Sequence, residues 1–143
     1  MRTYFPKKGE IQKKWYLVDA DGKILGRLAS AVAKVLTGKA KPEYTAYEDV
    51  GDFVVVVNAD RVAVTGKKRS QKVYRRHSGY PGGLKTVALA DLQKKAPEKV
   101  IVEAVNGMLP KNKLRTVYLK KLKVYSGQDH PHEAQRPEVL ALP

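Results

Sequence analysis

One stretch narrows the fold more than any other. Phe53-Val54-Val55-Val56-Val57-Asn58 is apolar at every position until its closing asparagine, with no alternation. A strand with one wet face alternates apolar and polar residues, whereas one covered on both faces does not. The run therefore predicts a central strand of a parallel sheet. Burying its four valines contributes about 6 kcal/mol of gross transfer energy. Trp15-Tyr16-Leu17-Val18-Asp19, closed by Asp21-Gly22, reads as a second buried strand and its turn. Val62-Ala63-Val64-Thr65, stopped by Gly66, reads as a further short strand, and Leu122–Tyr125 as a last extended piece.

Helical stripes fall between these runs. Leu28, Val32 and Leu36 recur at four-residue spacing, widened by Ala29, Ala33 and Val35, and Gly38 stands where a helix-ending glycine belongs. Thr86 is placed to cap a helix carrying Val87, Leu89, Ala90 and Leu92. Pro97 suits the first position of another helix, with Val100, Ile101, Ala104, Val105 and Met108 as its stripe and Pro110 as its end. A last helix starts at Asn112 or Lys113 and runs through Lys121. Strands alternating with helices give an α/β fold, with a mainly parallel sheet of about four strands and helices on both faces. The 143 residues suit one domain. Within it, residues 1–14 form an irregular arm, 15–125 the α/β body with a basic loop at 67–85, and 126–143 an irregular tail.

Charge is distributed unevenly over this plan. Residues 1–60 hold 10 Lys/Arg against 8 Asp/Glu; residues 61–143 hold 18 against 6. From Arg61 to Lys85 there are eight cations and no Asp or Glu. A folded domain has little reason to build so one-signed a face unless a polyanion neutralises it. Lys67, Lys68, Arg69, Lys72, Arg75, Arg76 and Lys85 are the candidate phosphate contacts. Tyr74, His77, Ser78 and Tyr80 are candidates for stacking on bases or bonding to sugar hydroxyls. Gly79, Gly82 and Gly83 let backbone N–H groups approach a phosphate and permit angles closed to other residues. A second basic arm carries Lys111, Lys113, Arg115, Lys120, Lys121 and Lys123, with no acidic residue between Ala104 and Gln128. His130-Pro131-His132 completes the candidate surface, as a loop that bonds phosphate or packs on a neighbour.

Other chemistries have weaker support. The chain has no cysteine, hence neither disulfides nor thiolate metal sites. Two histidines two apart in a proline-broken tail are poor evidence for a metal. The turn Asp19–Arg27 lacks both Gly-x-Gly-x-x-Gly and Gly-Lys-Ser/Thr, so it is a poor nucleotide site. Ser78 follows His77, but neighbouring side chains on an extended segment point apart. Asp49 and Asp52 are paired carboxylates with neither base nor metal beside them. A small α/β enzyme or binding protein for nucleotides or phosphate esters remains the rival reading. No apolar run approaches the ~20 residues of a spanning helix, and the N-terminus lacks the apolar core of a signal peptide. The chain reads as soluble and cytosolic, with no membrane partner.

Several odd, long blocks carry a resemblance. They are Trp15-Tyr16 with Asp19-Ala20 and Gly22-Lys23; Leu25-Gly26-Arg27-Leu28-Ala29; Gly51-Asp52 leading into the valine run and Asn58-Ala59-Asp60; and His77-Ser78-Gly79-Tyr80-Pro81-Gly82-Gly83. Gly107-Met108-Leu109-Pro110-Lys111, Leu122-Lys123-Val124-Tyr125, His130-Pro131-His132 and Ala134-Gln135 follow. In this order, over nearly the whole chain, they resemble the bacterial version of the universal large-subunit ribosomal protein thirteen family. One departure is Leu114-Arg115-Thr116 where the family usually reads Leu-Gly-Arg, which moves the arginine one place earlier. The resemblance implies a three-layer α/β/α fold and a structural role in the large ribosomal subunit. It implies direct binding to 23S rRNA early in assembly, neighbouring ribosomal proteins as further partners, no catalysis, no cofactor and no small-molecule substrate.

Overall fold

The computed structural model describes residues 2–142. In chain order the elements are β1 (Trp15–Asp19), α1 (Leu25–Thr37), β2 (Phe53–Val57), α2 (Lys68–Gln71), β3 (Val73–His77), β4 (Leu84–Ala88), α3 (Leu89–Lys95), α4 (Pro97–Met108), α5 (Leu114–Lys120), β5 (Leu122–Val124) and β6 (Glu138–Val139). Two 3-10 turns, Ala59–Arg61 and Glu133–Gln135, complete the list. The main sheet has the order β5-β2-β1-β6, and every pairing in it is parallel. The all-valine run occupies an interior position, as its unbroken apolarity requires. The fold is thus α/β, with a mainly parallel four-stranded sheet flanked by helices.

Register explains what each face of the sheet does. Val18 lies opposite Val56, which lies opposite Val124, while Val54 lies opposite Leu122. These side chains share one face. Leu28, Val32 and Leu36 of α1 and Val100, Ile101 and Val105 of α4 close over it as one core. The opposite face presents Trp15, Phe53 and Val55. Trp15 stacks on Phe53 at 4.4 Å, and His132 of the tail lies 5.2 Å from Trp15, so the C-terminal segment covers this side.

Three expectations are corrected here. Val62–Thr65 forms no strand: only Ala63 makes a bridge, to Ile24, because both edges of β2 are already taken. Thr86 caps no helix. It sits in β4 opposite Arg75, and α3 begins three residues later at Leu89. The pairing partner decides the matter, since β3 claims residues 84–88 before a helix can start. The tail is not wholly irregular, because β6 supplies the pairing that the outer edge of β1 otherwise lacks.

The connection from α1 to β2 is locked by charge. Lys41 Nζ donates to the carbonyls of Gln12 and Val50 and to Asp52 Oδ1 at 2.7 Å. Asp52 Oδ1 also accepts the Lys14 N–H at 2.9 Å. Gly51 crosses the end of α1 so closely that a Cβ there would run into the Leu36 carbonyl. The N-terminal arm is thereby held against the N-terminal edge of the sheet.

Candidate nucleic-acid interface

The basic stretch folds into a short helix and a two-stranded antiparallel hairpin. Lys67 precedes α2, Lys68 and Arg69 lie on it, and Lys72 leads into β3. Lys67, Lys68, Arg69, Arg75, Arg76 and Lys85 are exposed, and Lys72 is half-buried with Nζ 5.4 Å from the Tyr74 ring centre. The register sets Arg76 directly across from Lys85, and Tyr74 across from Val87. Like charges directly opposite on a sheet repel. Among the described residues, none of the seven candidate cations in this stretch has an ion-pair partner.

The hairpin loop is shaped by its glycines. Ser78 N–H donates to the Gly83 carbonyl at 3.1 Å, and Gly83 N–H donates to the Tyr80 carbonyl at 2.9 Å. Gly79 and Gly82 hold φ of 88° and 71°, angles that favour glycine. A Cβ on Gly83 would strike Ser78 Oγ. The closed loop thrusts Tyr80 outward, 76 % exposed. His77 Nδ1 accepts the Gly79 N–H at 2.9 Å, which leaves Nε2–H free to donate to an incoming oxygen.

Tyr74 departs from its expected role. Its ring packs partly against the core, and its hydroxyl is buried without a hydrogen-bond partner, so the hydroxyl is not offered to a sugar. Burial first, and the charge of Glu103 second, push its hydroxyl above the ordinary value. Tyr74 also walls a cavity of about 520 Å³, with Arg75, Arg76, Lys85 and Val87 of the hairpin and with Leu92, Lys99 and Glu103. Lys99 and Glu103 carry no signal in the linear charge runs. They are charges of opposite sign on α4, brought under the hairpin by tertiary packing.

The second basic arm divides. Lys111, Lys113 and Lys120 are exposed, while Arg115 and Lys123 are half-buried. Arg115 stands in the first turn of α5. Lys121 leaves the surface altogether, at 4 % exposure. Its Nζ donates to the Leu36 carbonyl at the end of α1 at 3.0 Å and to Asp49 Oδ1, and Asp49 Oδ2 accepts from Lys13 Nζ at 2.7 Å. A buried ammonium needs such partners, and the C-terminal end of a helix attracts cations. Burial lowers the Lys121 pKa against the pull of Asp49. Phosphate contact by Lys121 is therefore corrected to an internal clamp, and Asp49 and Asp52 are likewise occupied by lysines.

The histidines of the tail are engaged internally as well. His132 Nε2 lies 2.7 Å from the Tyr125 hydroxyl, and its backbone N–H donates to His130 Nδ1 at 3.3 Å. Burial, then the nearby His130 and Lys123, lower the His132 pKa. No group of three metal-ligating side chains occurs among the described residues. At the β1–α1 turn, Asp19 Oδ1 accepts from Asn58 Nδ2 and from the Asp21 N–H, so this turn is satisfied from within. No described helix is long and apolar enough to cross a membrane.

Fold and site together define a class: a basic α/β domain whose hairpin cations have no ion-pair partner among the described residues. Residues 13–131 match the family model described as Ribosomal protein L13. The chain is 60 % identical over 141 residues to "Large ribosomal subunit protein uL13" of a Cyanothece species, covering 99 % of this chain and 95 % of that one. It is 58 % identical to the protein of the same name from Dictyoglomus thermophilum, covering 99 % and 100 %. It is 57 % identical to that of Synechococcus elongatus, covering 99 % and 93 %. The chain belongs to the ribosomal protein L13 family, whose members are named for the ribosome and not for a reaction.

Proposed function

We propose that this protein is a structural constituent of the large ribosomal subunit in the cytoplasm, that it binds 23S-type rRNA directly, and that it supports early assembly of the subunit beside neighbouring ribosomal proteins. Family membership supports the ribosomal role. The observation that carries direct RNA binding is the hairpin, where Arg76 faces Lys85 across the strands and, among the described residues, no carboxylate pairs with either. Such a face is unfavourable in isolation and becomes favourable when phosphates lie over it. Lys67, Lys68, Arg69, Lys72, Arg75, Arg76, Lys85, Lys111, Lys113, Lys120 and, in part, Arg115 and Lys123 supply the cations. His77, Tyr80 and the glycine loop supply donors and a stacking ring.

The test is a salt series on a 23S-type rRNA transcript. Neutralising about six phosphates makes affinity fall roughly a thousandfold between 50 and 200 mM salt. Arg75→Glu with Arg76→Glu should weaken binding strongly and flatten the salt slope by about two. Lys7→Glu, on the arm and 3.7 Å from Glu10, should change little. A binding constant indifferent to salt, or equal losses in the two variants, would refute direct electrostatic binding.

A further inference from the structure

Glu103 lines two depressions in the surface, and Met108 lines the second and a third. The first is the cavity under the hairpin. The second, about 350 Å³, is bounded by Ile24, Gly26, Val64, Lys68, Lys72, Glu103, Gly107 and Met108. The third, about 480 Å³, lies between Ser30, Lys34, Thr37 and Lys39 on one side and Met108, Leu109 and Pro110 on the other. Glu103 borders the first and the second and Met108 the second and the third, so the three follow one another as an interrupted trough along the flank of α4. Lys99, Glu103 and Gly107 stand four residues apart on that helix and so form a single row. The row spans ~12 Å at the rise of an α-helix, and the chain then passes through Pro110 directly to Lys111 and Lys113. The trough therefore runs from the hairpin toward the second basic arm.

Its chemistry is specific. The rims carry Arg75, Arg76, Lys85, Lys99, Lys68, Lys72, Lys34 and Lys39. The only carboxylate among the lining residues is Glu103, and no described ion pair involves any of these groups. Between the cations the lining is largely apolar, with Leu25, Val64, Ala104, Met108 and Leu109. Met108 is 46 % exposed, and nothing lies within 4 Å of where a Cβ on Gly107 would stand. Cationic rims over an apolar floor fit a sugar–phosphate strand, with phosphates at the rims and riboses below. A sunken channel of this kind admits one strand. Double-stranded RNA is met across its broad, shallow minor groove instead.

We infer that the α4 trough holds a single-stranded segment of rRNA that links the hairpin to the second basic arm. This rests on the RNA-binding reading above and adds the strandedness and path of the RNA. The charge balance favours RNA over a peptide of a neighbouring protein.

The test uses the full chain and a 23S-type rRNA transcript. Gly107→Trp fills the trough without altering charge, and Lys34→Glu with Lys39→Glu reverses its far rim. Each should weaken binding about tenfold or more. Gly107→Ala should bind almost as the parent does and melt no lower, which reports on the helix itself. A benzophenone amino acid at Met108 should crosslink to rRNA nucleotides that are unpaired in the free transcript. Full affinity in both a folded Gly107→Trp protein and the Lys34/Lys39 variant would overturn the inference. So would Met108 crosslinks confined to duplex RNA or, in assembled subunits, to a neighbouring protein. In each of those cases loss of binding in the Arg75/Arg76 variant keeps the broader reading intact. Failure of that variant to lose affinity defeats the broader reading itself.

Discussion

Asp49 holds two lysines at once, one from the N-terminal arm and one from the end of α5, just before β5. Burial pushes its carboxyl up, but hydrogen bonds from Lys121 and Lys13, with their charges, outweigh burial and hold it below the ordinary 3.8. In acid the native state therefore binds fewer protons here than the unfolded chain does. The stability supplied by the clamp is complete above pH 3.8 and is lost as pH falls through the lower native value. Asp49→Asn leaves the Lys121 ammonium buried without its anion and should cost about 3 kcal/mol at pH 7. Urea unfolding at pH 7 and at pH 3 checks both points: the variant starts lower and declines less in acid. An acid decline identical to that of the parent would remove Asp49 from the clamp. Lys121 also shows why a charge run misleads at this scale. The run states that a cation is present. Its direction is decided by the strand that begins at Leu122 and by a carboxylate 72 residues away.

At the scale of elements, legibility followed locality. β2 and α1 could be read because their burial is written in their own residues, as unbroken valines and as a four-residue stripe. The glycine loop could be read, because Gly79 and Gly82 meet a demand within six residues, but the strands that flank it as a hairpin could not. β6 could not, since it has two residues and takes its pairing from Tyr16 and Leu17, more than 120 positions earlier. Thr86 was misread because a strand and a helix N-terminus use the same residue, and only β3 distinguishes them. The tail can be followed optically. Trp15 is the sole tryptophan, and it packs between Phe53 and His132. Burial, with the charges of His130 and Lys123, lowers the His132 pKa, so the docked tail favours the neutral ring. That preference is fully satisfied above pH 6.5 and is lost as pH falls through the lower native value. Trp15 emission should accordingly titrate with a midpoint below 6.5, and His132→Ala should abolish the titration. A midpoint at or above 6.5, or one that survives the substitution, would show that the tail is held by something else.

Across the whole molecule, one electrostatic design gives two salt responses of opposite sign. The formal net charge is +14. Inside the body, Asp49 and Asp52 are paired with Lys13, Lys121 and Lys41, so the surplus lies outward on the hairpin, the α4 rims and the second arm. The free protein repels itself, and that repulsion is screened over about 10 Å at 0.1 M salt. Bound RNA would neutralise the same cations, and salt would compete with it. Raising sodium chloride from 50 to 300 mM should therefore raise the melting temperature of the free protein by a few degrees, on the order of 1 kcal/mol for a chain of this size. The same change should lower its affinity for the rRNA transcript. Arg75→Glu with Arg76→Glu reduces the net charge and should reduce both responses together. A melting temperature that falls with salt would mean that the lysine–aspartate pairs, rather than the unpaired cations, dominate the electrostatics of the free protein. That result would separate the stability of the fold from the surplus charge on its surface.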